Sequence, residues 1–249
     1  MAKMTLLDIV QDILSDMDSD EVNSINDTVE ALQVAQIVKT TYFNIIDGRD
    51  WPHLYQTFQL TSSSDVNKPT YMTIPDNVID VSWIKYNKHI VNETRDKFQE
   101  VGYKTPLEFT NIVDQRNSDH TNIKVLTLDT GVVLNIFNNR APQYYTSFDN
   151  EHIIFDSYNQ TVDNALQTVK TQCYGKVYPT FTLEDTFYPD LPIQMFSYLL
   201  NEAKSTCFLT LKQMGNAKAE QHAISQRRRM SQDAWKVAGG VTYPHFGRK

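Results

Sequence analysis

The chain has 249 residues, of which 41% are hydrophobic, and its formal net charge is −7. This length and composition exclude an intrinsically disordered protein and allow one large domain or two modest ones. Cys173 and Cys207 belong to no C-x-x-C pair, which indicates reduced, buried thiols rather than a disulfide scaffold.

Two amphipathic helices are predicted at the start of the chain. Residues 4–17 place leucine, isoleucine and valine on one helical face and aspartates on the other. A second helix is expected over residues 27–47, with Asn26 as its N-cap and Gly48 as its stop. Together they form a predicted N-terminal helical hairpin, residues 1–52, which is the first part of a helical bundle.

The middle of the chain, residues 53–186, is predicted to be an inserted β-rich domain. Its segments are rich in Val, Ile, Thr and Tyr and are separated by turn residues, a pattern typical of strands. One short helix is expected over residues 106–115. The predicted strands cover residues 55–61, 70–75, 78–86, 97–103, 122–128, 131–137, 143–148, 152–158 and 166–178.

A long helix is predicted to follow, with Asp190 as a cap and Pro192 in its first turn. A continuous helix over 190–238 would be about 73 Å long, so we expect it to project from the body or to kink, with Gly215 as the candidate kink. Residues 187–224 are assigned to this helix as the second part of the bundle. The predicted fold is therefore α+β: a helical bundle from the N-terminal helices and a long C-terminal helix, an inserted β-rich domain and an extended C-terminal tail.

The C-terminal segment, residues 225–249, differs in charge from the rest of the chain. Its six Lys or Arg residues against one Asp give a net charge of +5, so the other 224 residues carry −12. Because the acidic body repels a phosphate backbone, a protein partner is favoured over nucleic acid, and a frayed, solvated terminus is the third alternative. Arginine and aromatic residues often anchor protein interfaces, and the candidates are Arg227, Arg228, Arg229, Trp235, Tyr243 and Phe246.

The sequence contains no recognisable catalytic motif. Glycine-rich phosphate loops, H-E-x-x-H and G-x-S-x-G are absent, so neither an enzyme nor a cofactor is predicted. Asp16, Asp18 and Asp20 match the first ligand positions of an EF-hand, but Glu21 stands where that loop needs glycine. A solvated connection between two helices is therefore favoured over a calcium site, and no metal ligand is assigned.

A metal-dependent nucleic-acid-processing enzyme is the alternative function, with a DNA-binding factor beside it. Asp114 and Asp119, close to His120, could hold Mg²⁺ in a nuclease-like cluster. Thirty acidic residues make such close pairs common by chance, so a polar loop after a short helix is favoured. We find no signal sequence and no run of 18 apolar residues, and therefore expect no membrane insertion.

Several long stretches of the sequence resemble the head-to-tail adaptors of short-tailed phages, the tail tubular protein A-like proteins. The similarity runs almost end to end and does not depend on a catalytic motif. The stretches are TLLDIVQDILSDMDSDEVNSINDTVEALQVAQIVKTTYFNII, APQYYTSFDNEHIIFDSY, FYPDLPIQMFSYLLNEAKSTCFLTLKQM and WKVAGGVTYPHFGR.

The resemblance implies a structural protein of the virion, made in the host cytoplasm and located in the phage tail at the head–tail junction. It implies a dodecameric connector ring between the portal protein and the tail nozzle protein. DNA would pass through the bore without specific binding during genome ejection. The C-terminal arm, residues 225–249, would dock on the portal during virion assembly through the six anchor residues named above.

Overall fold

The computed structural model describes residues 3–89, 95–128 and 130–232, with side chains described as far as residue 228. The fold of these residues is mixed α+β, with five helices and a curled eight-stranded sheet. The helices are α1 (Leu6–Asp16), α2 (Val29–Asp47), α3 (Pro106–Asp114), α4 (Ile193–Leu211) and α5 (Ala217–Gln232). The strands are β1 (Tyr55–Phe58), β2 (Thr61–Ser62), β3 (Tyr71–Thr73), β4 (Val78–Asn87), β5 (Phe98–Tyr103), β6 (Ile123–Thr127), β7 (Val133–Phe137), β8 (Tyr144–Thr146), β9 (His152–Phe155) and β10 (Thr171–Val177).

The chain divides into two compact units. The helical unit comprises the residues up to Leu54 and those from Pro179 onwards. The β-rich unit comprises Tyr55–Tyr178 and is inserted in the sequence between the two parts of the helical unit. The boundaries expected from the sequence, after residues 52 and 186, lie two and eight residues away from these divisions.

Three helices, α1, α2 and α4, pack against one another in the helical unit. Each buries an apolar face, and burying one Leu or Ile side chain contributes about 1.5–3 kcal/mol. The fully buried side chains include Leu6, Ile9, Ile13, Ile25, Val34, Val38, Tyr42, Ile46, Phe196 and Leu199.

Side chains cap the first two helices. The Thr5 hydroxyl accepts from the Asp8 N–H at 3.1 Å, and the Asp8 carboxylate accepts from the Thr5 N–H at 2.9 Å, which forms a capping box. Thr28 caps α2 by accepting from the Ala31 N–H at 3.0 Å. The prediction of Asn26 as this cap was wrong. A cap at Asn26 requires a helix that begins at residue 27, whereas α2 begins at Val29.

The segment before α4 belongs to the helical unit, although its first residues were predicted to end the β-rich domain. The Phe181 ring lies 5.1 Å from that of Tyr42 and 4.7 Å from that of Phe187. The backbone N–H of Leu6 donates to the Phe187 carbonyl at 2.8 Å. These aromatic contacts explain why the division falls at residue 179 rather than at 187.

In place of one helix over residues 187–224 the structure has two, α4 and α5, and the break between them agrees with the expected kink near Gly215. Gln213 has a φ of 53°, in the left-handed region, and this conformation ends α4. Gly215 lies in the connection that follows. The second helix then packs along α4 through Ala219 and Ala223 rather than projecting from the unit. Helix propensity alone could not indicate this reversal.

The β-rich unit contains one large sheet with the strand order β1-β10-β4-β5-β8-β9-β3-β2. Neighbouring strands are antiparallel except β5 and β8, which are parallel. The two edge strands, β1 and β2, are separated in sequence by only Gln59 and Leu60, so the sheet curls until the chain joins its edges. Leu60 donates its N–H to the Thr171 hydroxyl at 3.1 Å, and Ser62 donates to the Thr168 hydroxyl at 2.9 Å.

The hairpin of β6 and β7 and the helix α3 complete the β-rich unit. The α3 helix begins where expected, with Pro106 in its first turn and the Thr105 hydroxyl accepting from the Glu108 N–H. Each predicted strand has a counterpart in the structure, although most are shorter than predicted. The core contains Leu60, Met72, Ile84, Val101, Phe109, Val113, Leu134, Ile136, Ile153, Phe155, Tyr158 and Cys173.

Candidate functional site

The described part of the basic C-terminal segment lies on α5. Asn216 caps this helix, since its Oδ1 accepts from the Ala219 N–H at 3.1 Å. Ala223 is only 1% exposed, and its small side chain allows α5 to approach α4 closely. The Gln226 side chain donates to the Ser197 hydroxyl of α4. These contacts hold a polar helix against the core.

The six predicted anchor residues fall into two groups. Arg227 and Arg228 lie exposed on α5, and Arg229 belongs to the same helix. The first part of the segment 225–249 is helical, because residues 225–232 continue α5 and Gln226 binds α4. The remaining three anchor residues lie outside the described part of the chain: Trp235, Tyr243 and Phe246.

A groove of about 550 Å³ lies within the helical unit, between α2, α4, α5 and the turn that follows α2. Arg49 and Arg227 both line it, and we call it the arginine groove. This volume falls in the range of sites that bind a small molecule or an inserted side chain. Other residues that line the groove include Trp51, Tyr198, Glu202 and Thr206.

Arg49 is held beside the groove by an aromatic ring. Its guanidinium lies 5.5 Å from the centre of the Trp51 ring, and the Trp51 Nε1 donates to the Ile45 carbonyl at 2.7 Å. The Arg49 Nη1 is shielded from solvent and has no hydrogen-bond partner among the described residues. An unpaired buried donor costs about 1–3 kcal/mol, and more when it is charged. The two arginines that line the groove suit it to an acceptor, above all an anionic one.

Tyr198 contributes a protonated hydroxyl to the same wall. Burial raises the pKa of Tyr198, the nearby Glu202 carboxylate raises it further, and Arg227 opposes this shift. The phenol therefore remains neutral at physiological pH and can donate a hydrogen bond. The groove thus combines two guanidinium groups and neutral donors with one edge that carries a carboxylate.

No family model matches the chain, and a search of the curated proteins finds no relative. The chemistry of the groove therefore has to be inferred from its residues. Sequence reasoning missed Arg49, Tyr198 and Glu202 as a set, because Arg49 lies about 150 residues before the other two along the chain. The sequence did contain a weak indication of the groove, since Arg49 and Trp51 follow the end of α2 directly.

The EF-hand-like aspartates do not gather around one point. Asp16 lies 2.6 Å from the Lys204 Nζ, and Asp12 lies 3.0 Å from the same nitrogen. Asp18 and Asp20 are exposed. Within the ranges that the structure describes, no three His, Cys, Asp or Glu side chains are close enough to hold a metal ion. Asp16 therefore serves as an ion-pair partner for α4.

The residues of the alternative nuclease-like cluster lie in a polar loop after α3. The Asp119 N–H donates to the Asn117 Oδ1 at 3.0 Å. His120 uses its Nδ1 to accept from the Asn122 N–H at 3.2 Å. These are turn-stabilising bonds and do not form a ligand set with Asp114. Among the described helices, none has the length and apolarity needed to cross a membrane.

A buried ion pair in the β-rich unit has a structural role. The Arg116 Nη2 donates to the Asp156 Oδ2 at 2.9 Å, and their side chains are 8% and 2% exposed. The Asp156 Oδ1 accepts from the N–H groups of Gln143 and Tyr144 at 2.9 and 3.0 Å. The Arg116 guanidinium lies 4.1 Å from the centre of the Phe137 ring. Because protein groups satisfy both charges, this pair joins α3, β7 and β8 and does not form a binding site.

Proposed function

We propose that the chain is a head-to-tail adaptor of a short-tailed phage virion, a non-enzymatic connector between the portal protein and the tail nozzle. The observation that carries this proposal is the charge distribution of the chain. Residues 225–249 have a net charge of +5 beside a body of −12, and the first arginines of this segment are exposed on a helix fixed to the core. A basic, aromatic segment at one end of an acidic unit suits docking on another protein.

We assign the docking role to Arg228 and to the residues that follow α5, above all Trp235, Tyr243 and Phe246. Fixed on α4 through Gln226, the helix would present the start of this segment in a constant direction. Aromatic residues contribute most binding free energy when a partner surface covers them and removes their apolar area from water. The portal protein is the partner that the resemblance implies for this segment.

The finer architecture of an adaptor is part of the proposal. We interpret α1, α2 and α4 as the helical bundle of such a protein, with the β-rich unit inserted and the C-terminal segment extending towards the portal. In a closed ring, one patch of each copy meets a different patch of the next copy, so that no surface is left open. The dodecameric stoichiometry belongs to this proposal.

The net charge supports a passive role towards DNA. Duplex affinity depends mainly on cations that displace counterions from phosphates. A ring built from bodies of −12 would line its bore with few groups that retain a duplex, so DNA could slide through during ejection. This argument favours a channel over a DNA-binding factor.

The β-rich unit offers a surface for the tail nozzle. A groove of about 480 Å³ lies beside β3, β9 and the β6–β7 hairpin. Val132 and Phe148, which line this groove, are 47% and 41% exposed. Exposed apolar residues around a concave surface favour contact with another protein. We propose that the nozzle protein binds in this region.

Electron microscopy of the purified chain mixed with its portal protein tests the proposed function. We expect ring-shaped density added to one face of the portal. Antibody labelling of intact particles should mark the head–tail junction. A portal that remains uncovered at micromolar chain concentration, together with particles that lack the label, would refute the proposal.

A further inference from the structure

Two features of the helical unit, an exposed acidic connection and the arginine groove, lie at different ends of α2. The Lys212 Nζ at the end of α4 lies 3.6 Å from the Glu30 carboxylate at the start of α2, so these two helices run antiparallel. The arginine groove begins at the other end of α2, next to Arg49. With 19 residues, α2 spans about 28 Å at 1.5 Å per residue. The connection before α2 and the arginine groove therefore lie at opposite ends of α2.

The connection between α1 and α2 contains carboxylates that bind no other group in the described part of the chain. Asp18, Asp20 and Glu21 lie in the connection between α1 and α2, and all three are exposed. Their side chains make no hydrogen bond or ion pair with any described residue. By contrast, Asp27 in the same connection accepts from the N–H groups of Asn23 and Ser24. We call Asp18–Glu21 the acidic connection.

An anionic occupant suits the arginine groove, because Arg49 and Arg227 line it against the single carboxylate of Glu202. Residues 233–249 contain three Lys or Arg against one Asp, so this segment would bring a net charge of +2 to a groove that already holds two arginines. The acidic connection of a second copy has the complementary charge. Within one copy the acidic connection lies at the opposite end of α2, so it cannot reach its own groove.

We propose that the acidic connection of one copy inserts into the arginine groove of the next copy, where Asp20 and Glu21 pair with Arg49 and Arg227. Such a contact joins two different surfaces of identical chains, and it generates a ring when the rotation between successive copies closes. Carboxylate–guanidinium pairs also fix the geometry of a contact, because both groups are planar and can bind through two hydrogen bonds. The inference rests on the proposed ring, and it assigns Arg227 to the contact between copies rather than to the portal.

Two charge-reversed variants of the full-length chain test this contact. The groove variant carries Arg49→Glu and Arg227→Glu, and the connection variant carries Asp20→Lys and Glu21→Lys. In each variant alone, like charges meet at every contact, and we expect self-association in sedimentation velocity to weaken by about tenfold or more. In an equimolar mixture, each groove variant can alternate with a connection variant, and every contact regains opposite charges.

Recovery of association in the mixture is the decisive result, because misfolded variants could not restore each other. A control variant, Asp76→Lys with Asp119→Lys, makes the same charge change at exposed positions of the β-rich unit and should associate like the wild type. A mixture that fails to recover, variants that associate normally, or a wild-type chain that stays monomeric with and without the portal would each overturn the inference. Portal attachment of the wild type is measured separately, so that a failed test of the contact between copies does not by itself contradict the proposed function.

Discussion

The Gln226 side chain of α5 donates a hydrogen bond to the Ser197 hydroxyl of α4. Gln226 also accepts from the Asn201 Nδ2 at 3.3 Å. These bonds lie directly before Arg227, so they fix the first part of the basic segment against α4. The position of the segment is therefore set by two polar contacts and two buried alanines, Ala219 and Ala223, rather than by a hydrophobic stripe.

Replacing Ala223 should release α5 from α4. Ala223 is 1% exposed, so Ala223→Asp would bury a carboxylate that has no room and no partner, and we expect α5 to detach while α1, α2 and α4 stay folded. Hydrogen exchange of residues 217–232 should rise at least tenfold. The matched variant Ala217→Asp, at an exposed first-turn position, should leave exchange unchanged. Equal protection in both variants would contradict the packing described here.

Removing the carboxylate of Asp156 should strongly destabilise the β-rich unit. In Asp156→Ala, Arg116 would remain buried without its counter-charge, and the N–H groups of Gln143 and Tyr144 would lose their acceptor. We expect the free energy of unfolding in denaturant to fall by about 3–5 kcal/mol. The control Asp119→Ala changes an exposed aspartate and should alter it by less than about 0.5 kcal/mol.

A methyl group at residue 175 should disturb the pairing of β10 with β4. A Cβ placed on Gly175 would overlap the Asp80 carbonyl of the neighbouring strand, at a point where the register shifts. We expect Gly175→Ala to reduce the unfolding free energy by about 1–3 kcal/mol. Gly215→Ala is the matched control, because no atom lies within 4 Å of the added Cβ. A melting temperature that drops equally in both variants would show that the close approach is absent.

His53 should make the helical unit less stable in mild acid. Burial lowers the pKa of His53 below 6.5, although Asp190 partly opposes this shift. Between the lowered pKa and 6.5, the unfolded chain binds more protons than the folded chain, so stability falls as the pH falls through this window. In His53→Phe, that part of the pH dependence should disappear.

Chemical unfolding at about pH 7.5 and about pH 5.5 measures this effect. The wild type should lose more unfolding free energy than His53→Phe between the two values. The two proteins differ only at residue 53, so the difference between them isolates the contribution of His53. An equal loss in the two proteins would contradict a depressed pKa.

Most of the local structure could be predicted from the sequence, because periodicity and turn residues are local signals. The strands of the β-rich unit and the helix over residues 106–115 follow from such signals. The order of the strands does not: β5 and β8 lie side by side although about 40 residues separate them in sequence. Tertiary packing decides that neighbour relationship.

The candidate site was less predictable than the fold. The reversal between α4 and α5 depends on one left-handed residue, Gln213, in a stretch of high helix propensity. The arginine groove depends on that reversal, since it brings Arg227 beside Arg49 and Tyr198. The basic character of the segment was visible in the sequence, but which of its arginines faces a groove was not.

The affinity of the portal protein for two lengths of this chain tests the central claim most directly. One chain is full length, and the other ends at Gln232, which retains α5 and removes the segment that holds Trp235, Tyr243 and Phe246. We expect the full-length chain to bind the portal and the shortened chain, with an unchanged circular dichroism spectrum, to bind at least about 100-fold more weakly. Equal affinity of the two chains, or no binding by either, would contradict this claim.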